Sequence, residues 1–394
     1  MISFKTALTR IFESVKELPA QTISVDDSLG FVTAEDIVSP INLPPFDNSA
    51  MDGFAVNSSE CLSSKFEVSQ IIKAGDVPSP LKLWTCAKIM TGAAIPQGTD
   101  AVVPIEEVEI RNDEVFILKS PVTGQHIRRI GEDVKAHTII LKKGTILTPR
   151  AVALLAAVGL NEVMVYDRPK IIIITTGSEL IQPGEPLPPS KIYDSNGAAL
   201  LAAIKELGIG ARAISIKDDE ASIEATLEDA LNNYDVIITV GGVSVGDYDY
   251  VKAALKKLGV EEVFHKVAIK PGKPLYFGTH SGCRYIFGLP GNPVSALITF
   301  DRFVRPAILK MMGHKQIYKE RFSAVAVETL KGSHVKVDFL RGICRKEGGR
   351  FLVRSAGSQG SAMLKALAEA NCIIVVPEDK DKIEAGSPAE VELC

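Results

Sequence analysis

A short lysine-rich stretch carries the clearest chemical signal. In VAIKPGKPLYFG, residues 267–278, Lys270 and Lys273 are separated only by Pro-Gly, and Lys266 lies four residues before Lys270. Prolines stiffen such a loop, and lysines held close together repel one another, so a rigid turn of this kind is expected to hold a compensating anion. The alternative is an exposed lysine-rich turn between two strands.

Three glycine-containing loops could add donors to an anion site. TTGSEL (175–180) follows four isoleucines, GGVSVGDYDY (241–250) follows VIIT, and FGLPGNPVSAL (287–297) precedes an apolar helix. Glycine allows close approach of the backbone to a phosphate, and Ser178 and Ser244 supply hydroxyl groups. The remaining candidates are Gly177, Gly241, Gly242, Gly246 and the pocket-wall residues Pro290, Gly291, Asn292 and Pro293. Neither GxGxxG nor GxxxxGK[ST] is present, and tight turns with helix caps remain the alternative.

Carboxylates recur at the same strand ends. Glu179 follows TTGS, Asp218 and Asp219 end a strand, and Asp249 closes the GGVSVGDYD loop. Carboxylates beside phosphate groups commonly share Mg²⁺, although Asp218 and Asp219 are individually more typical of caps or solvated loops. The six histidines form no pair at metal-ligand spacing, and no GxSxG elbow occurs, so zinc and serine-nucleophile chemistry are not expected.

The elements that position these loops alternate between strand and helix from residue 168 to 314. Continuous β-branched runs such as IIIITT and DVIITV indicate strands buried on both faces, and therefore a doubly wound, mostly parallel α/β domain. Residues 315–394 predict a small β-barrel or sandwich, with a hairpin centred on EGG, and we favour the barrel.

The first part of the chain has a different pattern. A helix capped by Ser3 is expected to pack against one that begins at Thr148-Pro149, which predicts a discontinuous helical linker domain made of residues 1–40 and 135–167. Residues 41–134 contain short β-like runs and predict an inserted β domain. Within it, Asp52-Gly53 is an ordinary hairpin signal.

Composition limits the possible partners. The 394 residues are 46% hydrophobic and 23% charged with a net charge of -4, which predicts a multidomain globular protein that binds neither nucleic acid nor membrane. The six cysteines form no CxxC pair, and no apolar run reaches the ~20 residues of a membrane span, so a cytoplasmic location is expected.

Seven motifs together resemble one family. SAMDGFAV, MTGAAIPQG, RRIGEDV, TTGSEL, GGVSVGDYDY, KPGKPLYFG and GLPGNPVSA occur in the order found in molybdopterin molybdenumtransferases, the MoeA family that includes the E domain of gephyrin. The resemblance spans essentially the whole chain. It implies that the α/β domain is of the molybdopterin-binding type and that four-domain subunits form a homodimer with an intersubunit cleft. It also implies that adenylylated molybdopterin and molybdate give molybdenum cofactor, with Mg²⁺-dependent release of AMP.

The resemblance also implies roles for individual residues. Asp52, Asp133, Asp249, Lys270 and Lys273 correspond to cleft positions and are the catalytic candidates, with the two lysines resembling those that face molybdate. We expect Asp249 and Glu179 to be the metal ligands, with water positioning as the alternative role of Asp249. Among substrate-binding positions, the resemblance implies Thr91, Glu179, Asp218, Lys266, Pro290, Pro293 and, in the last domain, Arg341 and Ser361. The loop candidates named above, Gly177, Ser178, Gly241, Gly242, Ser244, Gly246, Gly291 and Asn292, are added to these as substrate-binding residues. The match at Ser361 departs from the family pattern, because relatives often carry Ser-Ser followed by His or Arg where this chain has Ser361-Ala362-Met363.

Two other functions share parts of this pattern. A molybdopterin adenylyltransferase, the enzyme of the preceding step and a possible partner, resembles only the middle domain and would release pyrophosphate from ATP. A gephyrin-type scaffold would use a peptide groove of the dimer and would have no need of the lysine and aspartate pattern.

Overall fold

The structure is a computed structural model that describes residues 1–63, 65–241 and 250–394. The chain divides into two compact units, one formed by Met1–Gln21, Gly30–Ala34 and Val165–Cys394, the other by Thr22–Leu29 and Glu35–Met164. We call them unit 1 and unit 2. The four-domain boundaries drawn from the sequence stay a prediction.

Unit 2 is built around a six-stranded sheet. Up to residue 166 the chain forms α1 (Phe4–Ser14), β1 (Ala20–Ser24), β2 (Ile37–Val38), β3 (Asn48–Ser49), β4 (Gly53–Val56), β5 (Lys65–Ile72), β6 (Thr85–Ile89), β7 (Ala101–Pro104), β8 (Val108–Arg111), β9 (Glu114–Ile117), β10 (Ile127–Arg128), β11 (Ile139–Leu141), α2 (Pro149–Ala157) and β12 (Glu162–Tyr166). The sheet order is β7-β4-β6-β5-β9-β8. Alternate residues of β4 enter two separate cores, Phe54 and Val56 on one face and Ala55 on the other. Both faces of the central strands are therefore buried.

A second six-stranded sheet forms the centre of unit 1. The elements are β13 (Ile171–Thr176), β14 (Leu180–Ile181), β15 (Ile192–Tyr193), α3 (Ser195–Lys205), β16 (Ala211–Ile216), α4 (Glu220–Asn233), β17 (Val236–Val240), α5 (Tyr250–Lys257), β18 (Glu261–His265), β19 (Ile269–Lys270), β20 (Tyr276–His280), β21 (Arg284–Leu289), α6 (Pro293–Thr299) and α7 (Arg305–Met311). The order is β16-β13-β17-β21-β20-β18. Strands β16, β13, β17 and β21 are mutually parallel, and β20 is antiparallel to both of its neighbours, β21 and β18.

The isoleucine run of β13 explains why this sheet is covered on both sides. Ile171 and Ile173 lie in one core, whereas Ile172 and Ile174 lie in the other. Because successive side chains of a strand point to opposite faces, an unbroken apolar run needs a hydrophobic layer on each side. The predicted doubly wound, mostly parallel sheet is confirmed.

The N-terminal helix α1 belongs to this unit. The hydroxyl of Ser3 caps it by accepting a hydrogen bond from the Thr6 N–H at 3.1 Å, as expected. Its buried residues Ala7, Ile11 and Val15 lie in the same core as the α/β sheet. The sequence-based pairing of α1 with the helix that starts after Thr148 was wrong, because an amphipathic pattern identifies a buried face but not the surface that covers it.

The C-terminal region of unit 1 closes into a five-stranded barrel. Its elements are β22 (Phe322–Ala326), β23 (Leu330–Lys331), β24 (Val337–Glu347), β25 (Arg350–Ser355), α8 (Leu364–Glu369), β26 (Cys372–Val376), β27 (Lys382–Ile383) and β28 (Pro388–Leu393). The order β24-β25-β22-β28-β26 is closed by the pairing of β26 with β24. The EGG hairpin joins β24 to β25 as predicted. The two-residue strand β19 pairs in parallel with β24 at the side of the barrel.

The length and apolar character of the helices decide whether any of them could cross a membrane. Within the described residues, no helix combines the length and the apolar character that crossing a bilayer requires.

Candidate active site

The lysine-rich turn is a tight structure whose shape depends on glycine. The N–H of Lys266 donates to the Leu275 carbonyl at 2.9 Å, and the N–H of Val267 donates to the Lys273 carbonyl at 2.9 Å. At the tip, Gly272 has φ +109°, and a Cβ there would lie 2.4 Å from Thr299 Cγ2. A side chain would therefore be both strained and obstructed at this position.

Strand pairing places this turn beside the barrel. In the β19–β24 register, Ile269 is opposite Val337 and Lys270 is opposite Asp338. The Lys270 side chain is 57% exposed, and its Nζ lies 3.8 Å from Oδ1 of the fully buried Asp338. Lys273 is also exposed. Two cations thus face solvent from a turn whose backbone is held on both sides.

A cavity of about 340 Å³ opens next to Lys270. It is lined by Lys270, Pro271, Glu328, Thr329, Leu330, Lys331, Asp338, Phe339, Leu340, Arg341, Ser355 and Gln359. The cavity brings two of the predicted oxyanion-binding residues, Lys270 and Arg341, to one place. Its size is sufficient for a tetrahedral oxyanion with associated water.

Arg341 is buried in the cavity wall. Its Nη2 donates to the carbonyl oxygens of Ser358 at 2.9 Å and Gly360 at 3.1 Å, so the guanidinium organises the 358–360 loop. Its Nε is buried and has no hydrogen-bond partner within the described part of the chain. Burial lowers the pKa of Arg341. One donor of a desolvated cation is therefore unused beside the cavity.

Ser361 contacts a different loop. Its hydroxyl lies 3.1 Å from Asn292 Nδ2, which donates to it, and its carbonyl accepts from the N–H of Val294. Among the described residues lining the cavity, Ser361 is not present. The structure therefore places Ser361 with the Pro290–Pro293 loop and Arg341 with Lys270.

The carboxyl ends of the parallel strands lie at one edge of the sheet, as the α/β topology requires. Gly241 has φ +90°, and a Cβ there would lie 2.8 Å from the Thr176 carbonyl oxygen. Its N–H donates to the Leu289 carbonyl at 3.3 Å, and the Gly291 carbonyl accepts from Asn196 Nδ2 at 2.8 Å. Gly242, Ser244, Gly246 and Asp249 lie outside the described residues.

The Gly177–Glu179 loop follows β13 at the same edge. Glu179 is exposed and turns back toward Gly177, where a Cβ would lie 2.7 Å from the Glu179 carboxylate. The Ser178 carbonyl accepts a hydrogen bond from Lys191 Nζ. The Lys191 bond uses neither the Ser178 hydroxyl nor the carboxylate of Glu179.

Asp218 is the acidic residue whose environment is most unusual here. Burial raises its pKa, and the charges of Glu179 and Asp219 add to the effect. Its Oδ1 is buried and has no hydrogen-bond partner in the described part of the structure. Asp219 instead caps α4 by accepting from the Ser222 N–H at 2.9 Å, which lowers its pKa and confirms the cap interpretation for this residue.

These carboxylates fit a divalent cation. Mg²⁺ takes one or two protein carboxylates together with phosphate oxygens and water. Glu179 is close enough for its charge to help raise the pKa of Asp218, and the unpartnered Asp218 oxygen is a suitable ligand atom. Groups of three or more potential metal ligands do not occur within residues 1–63, 65–241 and 250–394.

Two of the three candidate residues of unit 2, Asp52 and Thr91, are in direct contact. Asp52 Oδ1 accepts from the Thr91 N–H at 2.6 Å and from the Thr91 hydroxyl at 2.9 Å, and these bonds lower the pKa of the exposed carboxylate. Asp133 is exposed, and its N–H donates to the Leu43 carbonyl at 3.1 Å.

The hairpin interpretation of Asp52-Gly53 was wrong. β3 pairs with β10, whereas β4 pairs with β6 and β7, so the Asp-Gly step does not join two paired strands. Gly53 is instead needed because a Cβ would lie 2.0 Å from the Val103 carbonyl oxygen.

Among the cavity residues that the sequence analysis missed are Asp338, beside Lys270, and Gln359, bonded to Arg341. Asp338 is a carboxylate within the apolar stretch VDFL, and a charge inside a buried strand is the signal that could have identified it. Gln359 accepts from the Arg341 N–H at 2.9 Å and donates to the Arg341 carbonyl at 3.0 Å. No local pattern marks Gln359, because its partner lies on another strand.

The whole chain is similar to known proteins. Three family models match it: "MoeA N-terminal region (domain I and II)" over residues 2–159, "Probable molybdopterin binding domain" over 172–310 and "MoeA C-terminal region (domain IV)" over 323–394. The molybdopterin molybdenumtransferase of Haemophilus influenzae is 39% identical, with 100% of this chain and 98% of the relative covered. Molybdopterin molybdenumtransferase 2 of Mycobacterium tuberculosis is also 39% identical, over 94% of both chains.

Solved structures agree with these matches. A molybdopterin biosynthesis MoeA protein from Pyrococcus horikoshii has a TM-score of 0.84 and 32% identity, with 100% of this chain and 99% of that chain covered. The fold, the order of the motifs and full-length similarity to curated relatives all agree, and the chain belongs to the MoeA family.

Proposed function

We propose that this protein is a molybdopterin molybdenumtransferase, an enzyme of molybdenum cofactor biosynthesis that inserts molybdenum into molybdopterin. Its substrates are molybdate and adenylylated molybdopterin, and its products are the molybdenum cofactor and AMP. The observation that carries the proposal is the cavity that joins Lys270 to the buried Arg341. The similarity to the Haemophilus influenzae enzyme supports the same reaction class.

The electrostatic requirement of this reaction matches the site. Molybdate and a pyrophosphate-bridged substrate are both anions and must approach each other closely. Exposed ammonium groups of Lys270 and Lys273 reduce that repulsion, and they stand on a turn that is rigidly bonded at Lys266 and Val267. Preorganised cations of this kind stabilise developing charge without reorganising during the reaction.

The glycine loops supply the second half of the site. Close packing of Gly241 on Thr176 leaves little bulk at the strand ends, which gives a phosphate space to approach the backbone there. Asn292 and Pro293 would form one wall, tied to the barrel through Ser361. We assign Gly177, Ser178, Pro290 and Gly291 to binding of the adenylylated substrate.

Acidic residues at the same edge would hold Mg²⁺. We assign Glu179 and Asp218 to this role, together with Asp249, which lies outside the described residues. When bound there, Mg²⁺ supplies charge neutralisation for the bridging phosphates. The raised pKa of Asp218 is consistent with a carboxylate that lacks its counter-ion.

The remaining assignments depend on association of two chains. We propose a homodimer in which Asp52, Thr91 and Asp133 complete the cleft of the partner subunit. The Asp52–Thr91 hydrogen bonds support a carboxylate that is kept ionised and oriented. A cytoplasmic location and transfer of substrate from the adenylyltransferase of the preceding step are parts of the same proposal.

Release of AMP tests the proposed reaction. Purified protein is incubated with adenylylated molybdopterin and Mg²⁺, with and without molybdate, and AMP is quantified. We expect AMP release to depend on molybdate, and equal release in its absence would refute the transferase assignment. ATP and molybdopterin are tested in parallel, because pyrophosphate release would indicate an adenylyltransferase instead.

Lysine variants test the site. Lys270→Gln is expected to lower kcat/KM by about 10²-fold, the usual effect of removing one oxyanion-stabilising group. Lys256→Gln is the matched control, because Lys256 is an exposed lysine of α5 in the same domain. Equal activity of the two variants would contradict the role of Lys270.

A further inference from the structure

Asp338 is a buried carboxylate that the reaction described above does not yet use. Its side chain is completely inaccessible to solvent. Oδ2 accepts from the N–H of Ser333 at 3.0 Å and from the Ser333 hydroxyl at 2.5 Å. Oδ1 has no hydrogen-bond partner within the described residues. One oxygen of this carboxylate therefore has a structural role, and the other does not.

An unpartnered carboxylate oxygen is costly inside a protein. Buried polar atoms are nearly always hydrogen-bonded, and buried charges are nearly always paired. An amide at position 338 could still accept from Ser333 and would carry no buried charge. The negative charge at Oδ1 therefore calls for an explanation beyond the stability of the 333–338 segment.

The nearest cation is Lys270. Its Nζ is 3.8 Å from Oδ1, beyond hydrogen-bond distance, but a shift of the ammonium by about 1 Å would form a charge-assisted bond. The parallel β19–β24 register fixes the two backbones opposite each other. Both side chains line the same cavity as Arg341. In this pair the two backbones and the buried Asp338 carboxylate are fixed, whereas the Lys270 side chain, which is 57% exposed, has room to move.

We propose that Asp338 is a positioning residue for the oxyanion substrate. Its free Oδ1 holds the ammonium of Lys270 against the cavity wall, and this prepares Lys270 to bind molybdate. A lysine side chain has large rotamer freedom, so a lysine that is already held loses less entropy when the substrate binds. The inference rests on the proposed function, because the substrate it invokes is molybdate.

The charge of Asp338 also has an opposing effect. A carboxylate in the cavity wall repels a dianion directly, whether or not Lys270 is present. Positioning acts only through Lys270, whereas repulsion and a purely structural role act without it. A double-mutant cycle separates these possibilities, because residues that act together show non-additive effects.

The cycle uses Asp338→Asn, Lys270→Gln and the double variant. Asparagine retains an oxygen for Ser333 and removes the charge. Ser333→Ala is the matched control, because it removes the hydroxyl bond to Oδ2 and leaves Oδ1 unchanged. For each protein the molybdate Kd is measured by equilibrium dialysis, KM and kcat by AMP release, and folding by thermal unfolding.

We expect Asp338→Asn to weaken molybdate binding by about tenfold while kcat changes less than about threefold. In the Lys270→Gln background the same substitution is expected to change the Kd by less than about twofold. Ser333→Ala is expected to lower the unfolding temperature with the Kd unchanged. Tighter binding by Asp338→Asn, or an equal effect in both backgrounds, would overturn the proposal.

A spectroscopic measurement keeps the proposal testable if Asp338→Asn does not fold. In full-length protein with ¹⁵N-labelled lysine, the Lys270 ammonium signal is assigned from its loss in Lys270→Gln. We expect its protons to exchange with water at least fivefold more slowly than those of Lys273, and equal exchange would refute the contact. If the wild-type protein neither binds molybdate nor releases AMP, the proposed function fails, and this signal still reports on the Asp338–Lys270 contact.

Discussion

Replacing Gly272 by alanine tests whether the lysine-rich turn depends on its close packing. The added Cβ would lie 2.4 Å from Thr299 Cγ2 and 3.0 Å from Ile269 Cδ1, and Thr299 is fully buried. A left-handed backbone costs a non-glycine residue about 1–2 kcal/mol, and overpacking a core costs about 1–3 kcal/mol. We therefore expect Gly272→Ala to destabilise unit 1 by about 2–5 kcal/mol.

Gly282→Ala is the matched control for this experiment. Gly282 also has a positive φ, +68°, but a Cβ there would meet nothing within 4 Å. Its replacement by alanine is expected to cost only the backbone penalty of about 1–2 kcal/mol. The difference between the two variants therefore measures the contact with Thr299 and Ile269.

The sequence provides separate probes for the two units. All eight tyrosines lie between residues 166 and 318, in the range of unit 1, whereas the single tryptophan, Trp84, lies in unit 2. Urea unfolding is followed by near-ultraviolet circular dichroism of tyrosine and by tryptophan fluorescence. We expect Gly272→Ala to shift the tyrosine transition and to raise the KM for molybdate, because displacement of reacting groups by about 1 Å can cost about 10²-fold in rate. A Gly272→Ala transition no lower than that of Gly282→Ala would refute the packing argument.

Three further predictions concern individual charges. Because the pKa of Asp218 is raised, wild-type stability should fall as pH rises from the ordinary carboxyl value of 3.8 through the raised pKa. Asp218→Asn should remove this loss and increase the unfolding temperature at pH 7 without Mg²⁺. A variant less stable than the wild type would contradict the assignment. Thr91→Val removes the hydroxyl bond to Asp52 but keeps the backbone N–H bond, which is the larger cause, so the pKa of Asp52 should move only part of the way back toward 3.8. The pKa is followed by ¹³C NMR titration of the carboxyl group, and an unchanged value would show that the hydroxyl bond is not one of its causes. Arg302→Met removes a partner of the buried Glu392 and should lower the free energy of unfolding by about 3–5 kcal/mol. Arg345→Met breaks an exposed pair with Glu347 and should lower it by only about 0–1 kcal/mol. Similar losses for the two variants in denaturant unfolding would argue against burial as the deciding factor.

The α/β domain was predictable because its signals are local. Four consecutive isoleucines identify a strand buried on both faces, and Ile172 and Ile173 do enter separate cores. The Ser3 and Thr148 caps and the EGG hairpin are likewise encoded within a few residues. Such features depend on backbone preferences that neighbouring residues determine.

Features that depend on distant partners could not be predicted in the same way. Asp52-Gly53 has the composition of a hairpin turn, but β4 finds its partners in β6 and β7 rather than in the preceding strand. The amphipathic pattern of α1 is correct, yet the surface that covers it is formed by residues far along the chain. Long-range pairing overrides local propensity in both cases.

The candidate site also contains residues of both kinds, some recognisable from local sequence and some dependent on distant partners. Lys270 and Lys273 were identifiable from their spacing, because Pro and Gly between two lysines have a direct physical meaning. Asp338 was not, since its relation to Lys270 arises only from the β19–β24 register. The environment of Arg341 was not predictable either. Its Nη2 bonds the 358–360 loop, which follows β25 in the sequence, and its Nε has no partner among the described residues.

The pairing of β19 with β24 has a consequence for the modularity of this protein. Two residues of the α/β domain complete a sheet whose other strands all come from the last eighty or so residues of the chain. An excised α/β domain would retain its six-stranded sheet but would expose an unpaired edge at Lys270, where the oxyanion is proposed to bind. The C-terminal barrel is thus an integral part of the proposed site. Fragments or chimeras that exchange it without preserving Val337 and Asp338 are expected to fold the α/β domain but to lose the proposed capture of the oxyanion.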